Sequence, residues 1–151
     1  MPGQGDPHNG GTDFITLVGQ TTVSHQFIDL FIEGTTDRIP VPEDAAYAVH
    51  ISGLARAIDG SYAAAWNRIQ AVKRQGAGDV EPISTGTSGP DSQVGQLGSP
   101  TDILNELGFG AGGIGTDYNV RVRHVALDAN GDILPVVPID YKFEIRFIEL
   151  P

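Results

Sequence analysis

The chain closes on Tyr141-Lys-Phe-Glu-Ile-Arg-Phe-Ile-Glu-Leu150, in which Tyr141, Phe143, Ile145 and Phe147 alternate strictly with Lys142, Glu144 and Arg146. Successive side chains of a strand point to opposite faces, so the aromatic and branched residues share one face and the charges the other. An amphipathic helix would scatter the same apolar groups around its circumference. A strand of this kind belongs in an antiparallel sheet with one buried face.

Further strands are expected upstream. Tyr118 to Leu127 sets Val120 and Val122 against Arg121 and Arg123, and Ile133 to Val137 follows the turn Asp128-Ala-Asn-Gly-Asp132, whose Asn-Gly suits a hairpin. Phe14 to Val18 reads as a first strand. Phe27 to Glu33 reads as a second, with Ile28, Leu30 and Ile32 on one face and the aromatics Phe27 and Phe31 needing cover on the other. Arg38 to Pro42 is extended by its prolines and suits an edge, and Tyr47 to Ile58 is a longer strand ending at Asp59-Gly60. Ser61 to Arg74 reads two ways. Three alanines with Trp66, Ile69 and Val72 spaced by three favour a helix, whereas Tyr62, Ala64 and Trp66 would share one face of a strand. The residues alone lean to the helix.

Twenty glycines and ten prolines in 151 residues imply many turns and short elements, and 151 residues make one domain able to bury about two-thirds of its unfolded surface. The fold class expected is all-β, an antiparallel β-sandwich or jelly-roll-like domain spanning residues 13–151, preceded by a flexible arm over residues 1–12. Residues 84–116 read as a long Gly-rich insertion. Within it, Ser99 as N-cap, Pro100 in the first turn and Gly108 as a stop predict one short helix anchored by Ile103, Leu104 and Leu107.

Composition narrows function mainly by exclusion. The absence of cysteine removes disulfides, thiolate nucleophiles and thiolate zinc sites. A net charge of −10 with nine Lys and Arg argues against nucleic-acid binding. No run approaches the ~18 apolar residues of a membrane span, and residues 1–11 have neither the basic nor the apolar region of a secretory signal, so the protein is expected to be made and kept in a cytoplasm or to leave it by a route other than secretion. Gly108-Phe-Gly-Ala-Gly-Gly113 matches G-x-G-x-x-G, but with a helix before it and a strand after it the order is the reverse of a dinucleotide site, and flexible loop is the reading. Asp128, Asn130 and Asp132 open like a calcium loop, yet Ile133 and Ile139 stand where Gly and Glu are needed, which leaves a plain turn. His8, His25, His50 and His124 lack ligand spacing. No serine sits in a nucleophile elbow and no carboxylate pair stands out, so no catalytic residue, metal or cofactor is expected. Trp66, Tyr62 and Tyr47 could form a sugar-stacking platform, although aromatics at strand spacing more often belong to a core.

Several stretches resemble a β-rich domain of tailed-bacteriophage virion proteins. Leu30-Phe-Ile-Glu-Gly34 is similar to that family's L-F-L-D-G turn, and Arg38-Ile-Pro-Val-Pro42 with Glu43-Asp44 to its R-L-x-x-P followed by an acidic residue or Asn. Ile51 to Arg56, Ala63-Ala-Ala65 with Ile69 to Gly78, Asp128 to Ile133 and Phe143 to Glu149 continue the likeness. The resemblance implies a β-sandwich and makes Tyr62 to Val72 a strand. It departs from the family in the Ser84 to Gly115 insertion, and in beginning at its own Met1, which suggests a domain standing alone.

On that basis the expectation is a capsid decoration or cement protein, dimeric or trimeric, assembled in the host cytoplasm and bound to the major capsid protein on the virion surface without catalysis, nucleic acid or membrane. Contact residues are expected in the arm (His8, Asn9, Thr12) and in the insertion (Ile103, Leu104, Leu107, Phe109). The alternatives are a tail fibre or baseplate component and a receptor- or carbohydrate-binding module using Trp66 and Tyr62; a hydrolase comes last.

Overall fold

The computed structural model describes residues 14–61, 63–83 and 102–149, and these are all-β, without a helix. Ten segments form two antiparallel sheets: β1 Ile15–Thr21, β2 Ile28–Asp29, β3 Phe31–Ile32, β4 Ile39–Pro40, β5 Ala46–Ala57, β6 Ala63–Arg74, β7 Val80–Pro82, β8 Asp102–Ile114, β9 Asp117–Asp128 and β10 Ile139–Glu149. The larger sheet runs β3-β1-β10-β5-β6-β7. In the smaller one β9 carries β8 along one side and the short β2 and β4 along the other.

The closing strand is central. β10 pairs with β1 on one side and β5 on the other, so Ile145 lies between Ile15 and Ile51, and Phe143 between Leu17 and Gly53. Its expected apolar face (Tyr141, Phe143, Ile145, Phe147) is buried. Opposite it, Tyr118, Val120 and Val122 of β9 are buried from the smaller sheet, and the two layers share one core. Edge-to-face aromatic contacts cross between them: Tyr118 to Phe147 at 5.5 Å and Phe109 to Phe143 at 5.0 Å between centroids. Room for these rings comes from small inward residues on β5 and β6, namely Gly53, Ala55, Ala57 and Ala64.

Several expectations are corrected. The segment Phe27 to Glu33 is not one strand. β2 pairs with β9 and β3 with β1, and buried Leu30 makes the corner between sheets, its N–H donating to the Val120 carbonyl at 2.9 Å. Ser61 to Arg74 is strand β6 from Ala63 onward, as the resemblance implied and against the helical lean of the residues alone. Eleven consecutive pairings with β5, from Ala46↔Lys73 to Arg56↔Ala63, outweigh the helix propensity of three alanines. Ile133 to Val137 keeps only a bridge from Leu127 to Ile133.

The largest correction falls on the insertion. From Asp102 the segment expected as helix, then as glycine loop, is strand β8, paired with β9 down to the hairpin at Gly115-Thr116. The beginning of the expected helix, Ser99 to Thr101, lies outside the described residues. The strand has physical reasons. Leu107, Phe109 and Ala111 alternate onto the core side, and Gly108, Gly110 and Gly112 would each cost a helix about 1 kcal/mol. Along its whole length β9 also has backbone groups on this side that need partners.

Candidate binding surfaces

Of the expected contact residues, Leu107 and Phe109 are the two whose side chains are described. His8, Asn9 and Thr12 lie outside the described residues, as do the side chains of Ile103 and Leu104, whose backbone opens β8 beside a register shift between Asp102 and Leu104. Leu107 is 2% exposed and belongs to the core, because its strand position faces the larger sheet. Phe109 packs against that core, edge-on to Trp66 at 5.6 Å, with the Arg68 guanidinium 4.1 Å above its ring. Neither is available as a free apolar contact.

The sugar platform is likewise corrected. Trp66 stacks on Phe143 at 5.7 Å and Tyr47 lies edge-on to Phe147 at 5.2 Å, both buried in the core, and Tyr62 lies outside the described residues. His124 is fully buried, and its carbonyl accepts the His25 N–H at 2.8 Å. Asp128 Oδ1 accepts the N–H groups of Asn130 and Asp132 at 2.8 and 2.9 Å, and Gly131 takes φ 82°, so the acidic segment is a turn organised around its own carboxylate. Among the described residues no group of three or more acidic, His or Cys side chains is placed to hold a metal ion.

Two outer faces remain. On the larger sheet the register aligns Ile148, Ala48 and Ala71 in one row with Ile69 beside it, and Lys142, Leu54 and Ala65 in another. Between these ends run two rows, Arg146, His50 and Ile69, and Glu144, Ser52 and Asn67, the second with a 3.2 Å Ser52 to Asn67 hydrogen bond. Leu54 is 55% and Ile69 51% exposed, so apolar groups stand out beside Ala63, Ala65 and Ala71 on the β6 side, where Asn67 and Lys73 are the polar members. Beside Leu54, a depression of about 460 Å³ extends over Val18, Arg56, Asp140 and Lys142.

The outer face of the smaller sheet differs. Rows run Gly110, Arg121, Asp29 and Gly108, Arg123, leaving a column of bare peptide beside a column of arginine. The cover that Phe27 and Phe31 required comes from cations: Arg121 and Arg123 lie 4.7 and 4.4 Å from the Phe27 centroid, and Arg38 lies 5.6 Å from that of Phe31 while donating to Asp29. Three of the nine Lys and Arg of an acidic chain thus gather on one face. Their alternation with valines was visible in the sequence, but their meeting with Phe27 depends on how β2 registers on β9, which no local pattern states. Comparisons with family models, with curated proteins and with solved structures found no match.

Proposed function

We propose that the protein is a non-enzymatic structural component of a tailed-phage virion, a decoration or cement protein that bridges major capsid subunits at the capsid surface. In this reading the two sheets form a β-sandwich of jelly-roll kind, the chain self-associates as a dimer or trimer, and assembly takes place in the host cytoplasm. The observation that carries the reading is the outer face of the larger sheet. Its exposed Leu54, Ile69 and Ile148 stand among the alanines of β6 and the charged and polar residues Lys142, Glu144, Arg146 and His50, a mixture of apolar and polar groups that suits a protein-contact surface. The phage context rests on the resemblance of Leu30 to Gly34 and Arg38 to Asp44 described above. Many copies making modest contacts would hold a shell together by avidity.

The test is to add the purified protein to virus-like shells that lack it and to image the product by cryo-electron microscopy. Regular density over the shell is the expected result. Leu54→Glu and Ile69→Glu, both at exposed positions, should keep the fold and lose that density. A bare shell with density at a tail vertex would replace decoration by the tail or baseplate reading, and binding to host cells alone would replace it by receptor recognition.

A further inference from the structure

Copies of a chain with a net charge of −10 repel one another over most of their surface, so a contact between them has to set carboxylates on cations. Most of the cations are already engaged. Arg38 holds Asp29, Arg74 holds the Val41 and Gly78 carbonyls, and Arg68, Arg121, Arg123 and Arg146 lie over aromatic rings. Lys73 stands opposite Glu81 in the register of β6 and β7. Arg56 and Lys142 are left, both exposed and without an ion pair among the described residues, and both line the depression beside Leu54. Val18 and Leu54 give that depression an apolar wall. Its one carboxylate, on Asp140, already accepts the Gln20 side-chain amide at 2.8 Å.

A matching projection stands at the turn after β9. Ile133 is 64% exposed there. Asp132 before it is exposed and serves the turn through its backbone, its N–H donating to Asp128 Oδ1 and its carbonyl accepting the Asp128 N–H, so its carboxylate is left for a cation. A turn fixed in this way loses little freedom on docking. We infer that the Asp132-Ile133 turn of one copy docks in the Leu54 depression of another, Ile133 against Val18 and Leu54 and the Asp132 carboxylate between Arg56 and Lys142. The inference rests on the self-association proposed above and names the contact that makes it. A depression of about 460 Å³ has room for one branched side chain and the carboxylate beside it. Turn and depression are separate parts of the surface, so each copy gives one and receives one, and two or three copies close the assembly. The Ile69 and Ile148 end of the face stays free for the shell.

Sedimentation of the full chain over a concentration series up to about 1 mM tests the contact without a shell. The weight-average mass should rise from 16.0 kDa toward two or three times that value. Arg56→Glu and Asp132→Arg, both at exposed positions, should fold as the wild type does and each weaken association at least about tenfold. The Arg56→Glu/Asp132→Arg double variant again sets opposite charges across the contact and should associate more tightly than either single variant. Ile133→Ser should weaken association without touching a charge. A chain that stays at 16.0 kDa throughout would overturn the inference, as would a double variant no tighter than the single ones. Association unchanged by Ile133→Ser or by Arg56→Glu would place the contact on another surface and overturn it too. Decoration is judged separately: a wild type that associates through this turn yet leaves shells bare would bear out the contact and remove the shell from the reading.

Discussion

Gly53 is the position where one hydrogen atom decides how the core closes. A Cβ there would stand 2.3 Å from the nearest carbon of the Phe143 ring, which lies across the glycine from the neighbouring strand. Phe143 cannot yield easily, since Trp66 stacks on its face and Phe109 meets it edge-on. Gly53→Ala should therefore destabilise the protein by about 1–3 kcal/mol, the usual cost of overpacking, despite alanine's better backbone statistics. Chemical denaturation measures this directly. In the Gly53→Ala/Phe143→Leu double variant the two losses should not add, because the smaller side chain relieves the clash. Strict additivity would mean that the ring is not what excludes a side chain at Gly53.

At the scale of elements the two sheets differ in how continuously their strands are paired. β5 is bonded to neighbours on both sides for nearly its whole length and β10 on both sides from Ile139 to Ile145, whereas β2, β3 and β4 are two-residue bridges joined by turns. Native-state hydrogen exchange should find the slowest amides in β10 and β5, opening only with the whole molecule, and early local opening between Ile28 and Pro40. Exchange in β10 as early as in β3 would contradict its central place. β8 offers a second test, because Gly108 sits mid-strand with open space where a Cβ would stand. Gly108→Ala should stabilise by about 0.5–1 kcal/mol, seen as a higher melting temperature, by removing backbone freedom from the unfolded chain. The same strands mark what the sequence could and could not disclose. β10 and β9 were legible because period-two alternation is local and their inward residues are large. β6 and β8 were not, because alanine and glycine carry little periodic signal and leave propensity to speak for a helix. What makes them strands is a partner far away in the chain. The exposed faces were less legible still: Leu54 read as an ordinary strand residue and Ile69 as part of a helical spacing until the register placed both outward, and Asn119 drew no notice until the fold buried its amide oxygen without a partner among the described residues.

For the molecule as a whole, the joining of the layers puts two tyrosines where they resist ionisation. Tyr118 on the smaller sheet is fully buried, with its hydroxyl donating to Gln70 Oε1 at 2.8 Å, and burial drives its pKa well above the ordinary value of 10.0. Tyr141 on the larger sheet is pushed up to about 12 by burial, opposed in part by its 3.2 Å hydrogen bond with buried Thr21. A raised folded-state value means that the unfolded chain gives up its phenolic protons first. Stability from both groups is then complete below about pH 10 and falls as pH rises from 10 toward 12. For Tyr141 the loss across that window is on the order of 2–3 kcal/mol, and Tyr118 adds to it in the same direction. Urea denaturation at a series of alkaline pH values should show this decline, with phenolate absorbance appearing together with unfolding. Tyr141→Phe should be less stable at neutral pH, since Thr21 loses its partner inside the core, yet should lose stability less steeply above pH 10. An alkaline slope unchanged in both Tyr118→Phe and Tyr141→Phe would mean that neither phenol is sealed between the sheets, and that the two layers are less closely joined than their aromatic contacts require.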